Sequence, residues 1–180
     1  RLPHAHLFAK THWLVEEVAR HHHRPVHKVQ PSLDHAVYHP TRRVPAGSAP
    51  GSMSSSPPSS AAPSSAPDNP LTITAMIRPR TPRRGAARTM QLLARLQQRF
   101  GDQLAIHLFG CASDDPGFQR LETGFHFTNH GPLARPQVAA CLAQSDLFLD
   151  LSDYQAFGRT ALEAMACGCA AVVPAAGGAG

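Results

Sequence analysis

Leu147-Phe-Leu-Asp-Leu151, Ser152-Asp-Tyr-Gln-Ala-Phe-Gly-Arg159, Thr160-Ala-Leu-Glu-Ala-Met-Ala166 and Ala170-Ala-Val-Val173 run almost end to end, interrupted only by Cys167-Gly-Cys169. The order is an apolar run, a polar loop, a stretch of good helix formers and a second apolar run. It predicts strand, loop, helix over 160–166, and strand. Working upstream, Leu71-Thr-Ile-Thr-Ala-Met-Ile77 predicts a strand, and 86–100 carries Met90, Leu93, Leu96 and Phe100 on one helical stripe that Gly101 stops. Leu104-Ala-Ile-His-Leu-Phe109 predicts a buried strand, Phe125-His-Phe127 a short one, and 135–145 a helix. Apolar strands alternating with helices mean a parallel sheet covered on both faces. Ligands of such sheets sit where the strands' carboxyl ends open into loops.

Before this α/β region the pattern differs. Residues 11–22 open with a Thr cap and place Leu14, Val15 and Val18 at helical spacing, Pro25 ends the helix, and Val26-His-Lys-Val29 predicts a short strand followed by a turn at Pro31-Ser-Leu-Asp34. Between Thr41 and Pro70, 23 of 30 residues are Pro, Ser, Ala or Gly, a composition that predicts a disordered linker or loop insertion. Three stretches result: 1–40, the linker at 41–70, and an α/β domain over 71–180.

Composition excludes several classes. In 180 residues no apolar run approaches the roughly 18 to 20 that a membrane span needs, and Arg1-Leu-Pro-His4 is neither an initiator Met nor a signal peptide. Cys111, Cys141, Cys167 and Cys169 are too few and too irregular for a disulfide framework, and Cys167-Gly-Cys169 lacks the second pair of a zinc site, so a reducing cytoplasm is expected. His21-His22-His23 reads as a polar helix end, since no carboxylate or Cys completes a metal site beside it. No nucleic-acid module is visible. The net charge is +5, and 15 of the 17 basic residues are Arg. Codon usage and anion binding both produce such a bias, and position has to decide between them.

Two loops locate it. Arg78-Pro-Arg-Thr-Pro-Arg-Arg-Gly85, followed by Arg88, gathers five Arg without an acid just before a helix N-terminus, where free amides and the helix dipole favour phosphate. The alternative is a solvated basic surface loop. In the second loop, Gly158, Arg159 and Thr160 present backbone amides at the top of the sheet, and Glu163 follows one turn later, able to accept hydrogen bonds from ribose hydroxyls.

Phe157-Gly-Arg-Thr-Ala-Leu-Glu-Ala-Met-Ala-Cys-Gly168, with Ala171-Val-Val-Pro174 and Gly177-Gly178 after it, resembles the nucleotide-sugar-binding signature of GT-B glycosyltransferases, especially family 4 and related rhamnan-type enzymes. The Arg78–Gly85 loop resembles that family's donor-phosphate loop, and Gly131-Pro-Leu and Ser145-Asp-Leu147 are similar to its next turn and strand. Residues 8–40, with Val29, Leu33-Asp34 and Tyr38-His-Pro40, resemble the last unit of the family's N-terminal domain. The resemblance implies an α/β fold of GT-B type: a Rossmann-like parallel sheet with flanking helices, here the end of an acceptor-side domain followed by a donor-binding domain cut short at its C-terminus.

What the resemblance implies for the site is carried over by residue. Two Glu flank the family's loop. The second matches Glu163 and contacts the ribose, while Gln155 stands where the first contacts the donor sugar, with Asp153 a candidate substitute. Arg83 or Arg84 replaces the family's phosphate-loop Lys, and Arg78, Arg84 and the amides around Gly158 neutralise the leaving diphosphate. Gln155 and Glu163 are therefore the candidate catalytic residues, and Arg78, Arg83, Arg84, Gly158, Arg159, Thr160 and Glu163 the donor-binding ones. The expected reaction moves a sugar, with retention, from a nucleotide-diphosphate sugar to a glycan or lipid-linked acceptor, in the cytoplasm or at the inner face of a membrane with peripheral contact. No metal, cofactor or nucleic-acid partner is expected, and the 180 residues alone are expected to be inactive. The rival readings are a non-catalytic nucleotide-sugar-binding module and a sugar epimerase of the same architecture.

Overall fold

The computed structural model describes residues 4–40 and 69–179, so the linker reading of 41–70 falls almost wholly outside the described residues. The first segment is a strand, helix and strand. β1 (Leu7–Ala9) pairs in parallel with β2 (Val26–Lys28), and α1 (His12–His22) crosses between them. Thr11 caps α1, its hydroxyl accepting from the Leu14 amide at 3.2 Å. The helix ends before Pro25, at His23, whose left-handed φ of 50° turns its amide onto Ala19 O.

The second segment holds β3 (Leu71–Met76), α2 (Ala86–Phe100), β4 (Leu104–Phe109), α3 (Pro116–Gln119), β5 (Thr128–Asn129), α4 (Arg135–Ala143), β6 (Leu147–Leu149), α5 (Arg159–Ala166) and β7 (Ala170–Val172). Its sheet has the order β5-β4-β3-β6-β7 and is parallel throughout. One expectation fails. The short strand lies at 128–129 and not at 125–127, because Phe125 and Phe127 are taken up as packing residues beside Phe118 and Leu121. β1, α3 and the 3₁₀ turns at Pro82–Arg84 and Gly101–Gln103 carry too few residues for a periodic signal.

Apolar residues on both faces of the strands build two cores. Ile73, Ala75, Ile77, Ile106 and Leu108 pack with Met90 and Leu93 of α2 and with Phe118 of α3. On the other face Phe109 and Phe148 meet Leu142 of α4 and Ala161 and Ala164 of α5, and the same core takes in Tyr38 from the first segment. The small residues of α5 let it lie close to the sheet, as its composition predicts. The topology matters more for the site. Chain order reverses between β3 and β6, so the loops after these neighbouring strands diverge and leave a crevice at their carboxyl ends.

Candidate functional site

The loops at this switch point are 77–85 and 150–158. They are fastened to each other: the Asp153 amide donates to Arg83 O at 2.8 Å, and Arg88 Nε to Leu151 O at 2.8 Å. Gly85 is what allows the approach. At φ +64° it ends the 3₁₀ turn and starts α2, and a Cβ there would stand 2.5 Å from Leu151 O.

The sequence shows no acid inside the Arg-rich loop, and the structure supplies acids from elsewhere. Arg80 pairs with Asp115 at 2.9 Å, Arg88 with Asp153 at 2.5 Å and Arg84 with Asp150 at 3.6 Å. Arg83 lies over the Tyr154 ring, 5.5 Å from its centroid. Burial pulls the Arg84 guanidinium below its ordinary value, Asp150 opposes that, and Arg83 and Arg78 add to it. Asp153, a candidate for the sugar-contacting role, is thereby tied to Arg88.

Asp150 organises the second loop from beneath. Its carboxylate accepts from the Ser152 amide at 3.0 Å, from the Ser152 hydroxyl, and from Gln155 Nε2 at 2.6 Å. Gln155 Nε2 also lies 2.9 Å from Ser152 Oγ, and the three side chains are buried together. The Gln155 amide is thus spent inside the loop. Its backbone bridges Gly177, where a Cβ would collide with the Gln155 carbonyl.

A cavity of about 340 Å³ opens where these elements meet, and it brings together Arg78, Arg159, Thr160 and Glu163 of the residues expected from the sequence. Arg83, Arg84, Gly158 and Gln155 do not line it and act on it through the loops. Gly158, at φ +71°, sets the N-terminus of α5, so that the first turn of the helix faces the cavity. Glu163 is only 7% exposed and holds Arg159 Nε at 3.2 Å. Tyr38, also buried, has its hydroxyl pushed up by burial first and then by the charge of Glu163 and a hydrogen bond to it.

Sequence reasoning missed Tyr38 and Arg135 as lining residues, together with the apolar wall of Met76, Phe109, Leu133 and Val138. Tyr38 belongs to the Tyr38-His-Pro40 stretch that resembles the end of the family's N-terminal domain, and only the fold shows that it lands beside Glu163. Arg78 borders a second, adjoining hollow of about 360 Å³ with Gly110 and Pro132. Three guanidinium groups, those of Arg78, Arg135 and Arg159, an acid held between Arg159 and Tyr38, and an apolar wall suit a ligand with a flat apolar part, vicinal hydroxyls and an anionic end. Among the described residues no group of three or more His, Cys, Asp or Glu is gathered to hold a metal ion. His21–His23 close α1, with His21 Nε2 3.4 Å from Glu17 Oε2.

A family model described as glycosyl transferases group 1 matches residues 62–180. No curated protein matches the chain. Among solved structures, sucrose-phosphate synthase from Thermosynechococcus elongatus is similar over 95% of this chain and 41% of its own, with TM-score 0.65 and 16% identity. The C-terminal domain of a glycosyl transferase group 1 family protein from Francisella tularensis is similar over 82% of this chain and 73% of its own, with TM-score 0.54 and 18% identity. At these identities the likeness is one of fold, the GT-B α/β arrangement expected from the signature. This chain spans less than half the length of the synthase.

Proposed function

This chain belongs to the glycosyl transferases group 1 family, and from that premise we propose that the crevice after β3 and β6 binds a nucleotide-diphosphate sugar. The observation that carries the reading is the convergence of Arg78, Arg159 and Glu163 on one cavity at the switch point of the sheet. Glu163 accepts from the ribose hydroxyls, as a carboxylate fixed in place by Arg159 and Tyr38. Arg78, with Arg84 behind it and the free amides at the start of α5, receives the diphosphate. When the bond between the anomeric carbon and the phosphate oxygen breaks, negative charge grows on that oxygen, and donors already in place stabilise it without reorganising. The sugar passes to a hydroxyl of a glycan or lipid-linked acceptor with retention, in a family 4, rhamnan-type setting at the cytoplasmic face of a membrane. No cofactor or metal is assigned a role. Contact with the membrane that carries a lipid-linked acceptor is assigned as peripheral in this reading. Among the described residues no helix is long and apolar enough to cross a membrane.

Titration calorimetry with UDP, GDP, ADP and dTDP tests the donor reading. One of them is expected to bind, and Arg78→Ala and Glu163→Ala are each expected to weaken it about tenfold or more, since each removes charge-assisted hydrogen bonds. Affinity unchanged from the unsubstituted chain in both variants would defeat the proposal. A second reading, a nucleotide-sugar-binding module without turnover, is favoured by one observation: Gln155 turns its amide onto Asp150 and Ser152. Donor consumption by a chain that carries the acceptor side would exclude it.

A further inference from the structure

A separate cavity of about 570 Å³ lies beside the donor crevice, between the first segment and the loop into α5. Residues 157–163 serve both: Phe157 and Leu162 line this cavity, while Arg159, Thr160 and Glu163 line the other. Its remaining wall holds Lys10, His12, Lys28 and His35, and no Asp or Glu lines it. The chain has only two lysines among 17 basic side chains, and both are here. Lys28 Nζ stands 2.9 Å from His12 Nε2, so the ammonium donates to that nitrogen and the ring keeps its N–H on Nδ1. Lys10 is exposed and has no ion-pair partner among the described residues. The start of α1 adds the positive end of an 11-residue helix. Trp13 and Phe157 supply apolar faces beside these cations.

The wall is held in place from the donor side. The Thr11 hydroxyl donates to Ala156 O at 3.0 Å, the Gly178 amide to Gln155 O at 2.6 Å, and a Cβ on Gly178 would meet the Ala156 carbonyl and the Thr11 hydroxyl. A ligand here is therefore fixed relative to the loop that positions the donor. From this juxtaposition we infer that the cavity grips the acceptor by a phosphomonoester, carried either on a soluble sugar or on a lipid. The inference rests on the glycosyl-transfer reading for the word acceptor. The phosphate site itself rests on the four basic side chains and the want of any acid among the lining residues. Two ammonium groups and two imidazoles match a dianion better than a single carboxylate, and aromatic faces suit a sugar ring or an isoprenoid chain.

Trp13 is the chain's only tryptophan and lines the cavity, so its fluorescence reports on this site. Glucose 6-phosphate and vesicles of phosphatidylcholine containing phosphatidic acid would be titrated into the 180-residue chain, with glucose, glucuronate and plain phosphatidylcholine vesicles as controls. A saturable change is expected with one phosphate probe and none with glucose. Lys10→Ala/Lys28→Ala should weaken the response about tenfold or more, and Lys28→Glu should do so too. A response to glucose 6-phosphate puts the phosphate on a soluble acceptor, and one to the phosphatidic acid vesicles alone puts it on a lipid. Silence with both phosphate probes, equal response to glucuronate or to a control, or an unchanged response in both variants would overturn the inference. Calorimetry with the four nucleoside diphosphates on the same samples separates the two proposals. If none binds the unsubstituted chain, the donor reading fails while the Trp13 response still reports on phosphate.

Discussion

Gln155 shows why a single position cannot be judged by family pattern alone. A Glu there would place a second carboxylate where Gln155 Nε2 now lies, 2.6 Å from Asp150 Oδ2 in a buried pocket, whereas the amide supplies the two hydrogens that Asp150 and Ser152 accept. Asp150 and Gln155 therefore form one unit. Gln155→Ala should lower stability by about 1–3 kcal/mol, the usual cost of leaving a buried acceptor without its donor. Gln155→Glu should cost more near neutral pH, because two buried carboxylates in contact cannot both stay ionised. The pair in that variant holds a proton more tightly when folded than when unfolded, so its deficit should shrink on acidification toward about pH 5. Urea melts of the chain and both variants at two pH values check this, and a Gln155→Glu deficit that does not change with pH would refute the pairing.

At the scale of elements, the two loops of the crevice are only as well placed as the turn that lets them touch. Gly85→Ala meets Leu151 O and the Arg88 guanidinium at 2.5 Å and adopts a left-handed φ, whereas Gly131→Ala, also left-handed at φ +67°, has nothing within 4 Å. The second substitution isolates the conformational cost of about 1 kcal/mol, and the first should lose about 1–3 kcal/mol more, together with nucleotide affinity. Matched unfolding curves and a calorimetric titration would show it. The edge of the sheet makes a different prediction. His107 on β4 stacks on His130, just after β5, with Nδ1 2.9 Å from Nε2, and burial first, then the neighbouring His130, holds the His107 imidazole below its ordinary value. The unfolded chain takes up that proton before the folded one does. Stability should therefore fall as pH drops below about 6.5 and level off once the folded-state value is passed. His107→Gln should remove that part of the slope, and identical slopes in urea midpoints would count against it. Most elements were legible in the sequence because Met90, Leu93, Ile106, Leu108 and Phe148 carry their own periodicity into the cores. Arg78, Arg159, Thr160 and Glu163 were legible as cavity residues because they follow apolar strands. The acids that pair with Arg80, Arg84 and Arg88 lie 35 to 66 residues away, a distance no local pattern spans. Phe125 and Phe127 misled because alternation over three residues cannot separate a strand from two packing side chains.

Across the whole molecule, the first segment is built into the second and not merely attached to it. Tyr38 is 3% exposed within the core of the β-sheet's second face and touches Glu163. Thr11 bonds Ala156, and the Trp13 ring lies 5.9 Å from that of Tyr154, which in turn sits under Arg83. The 4–40 segment thus touches the donor crevice at Glu163 and at the Tyr154 loop, and unfolding it would strip support from both. Its own interior is thin: among the described residues of α1 none is buried, and β1 and β2 have three residues each. Such a unit lacks the apolar area to persist alone, so its stability has to come from the larger core. The two segments should then unfold together. Trp13 fluorescence follows the first segment, and far-ultraviolet circular dichroism is dominated by the helices of the second, with α2 the longest among them. Coincident transitions are expected from the two probes. Tyr38→Ala should shift both to lower denaturant together, by the roughly 3–5 kcal/mol typical of deleting a large buried ring. An early Trp13 transition, or a Tyr38→Ala shift seen by one probe only, would mean that the segments fold separately and that the crevice can keep its shape without residues 4–40.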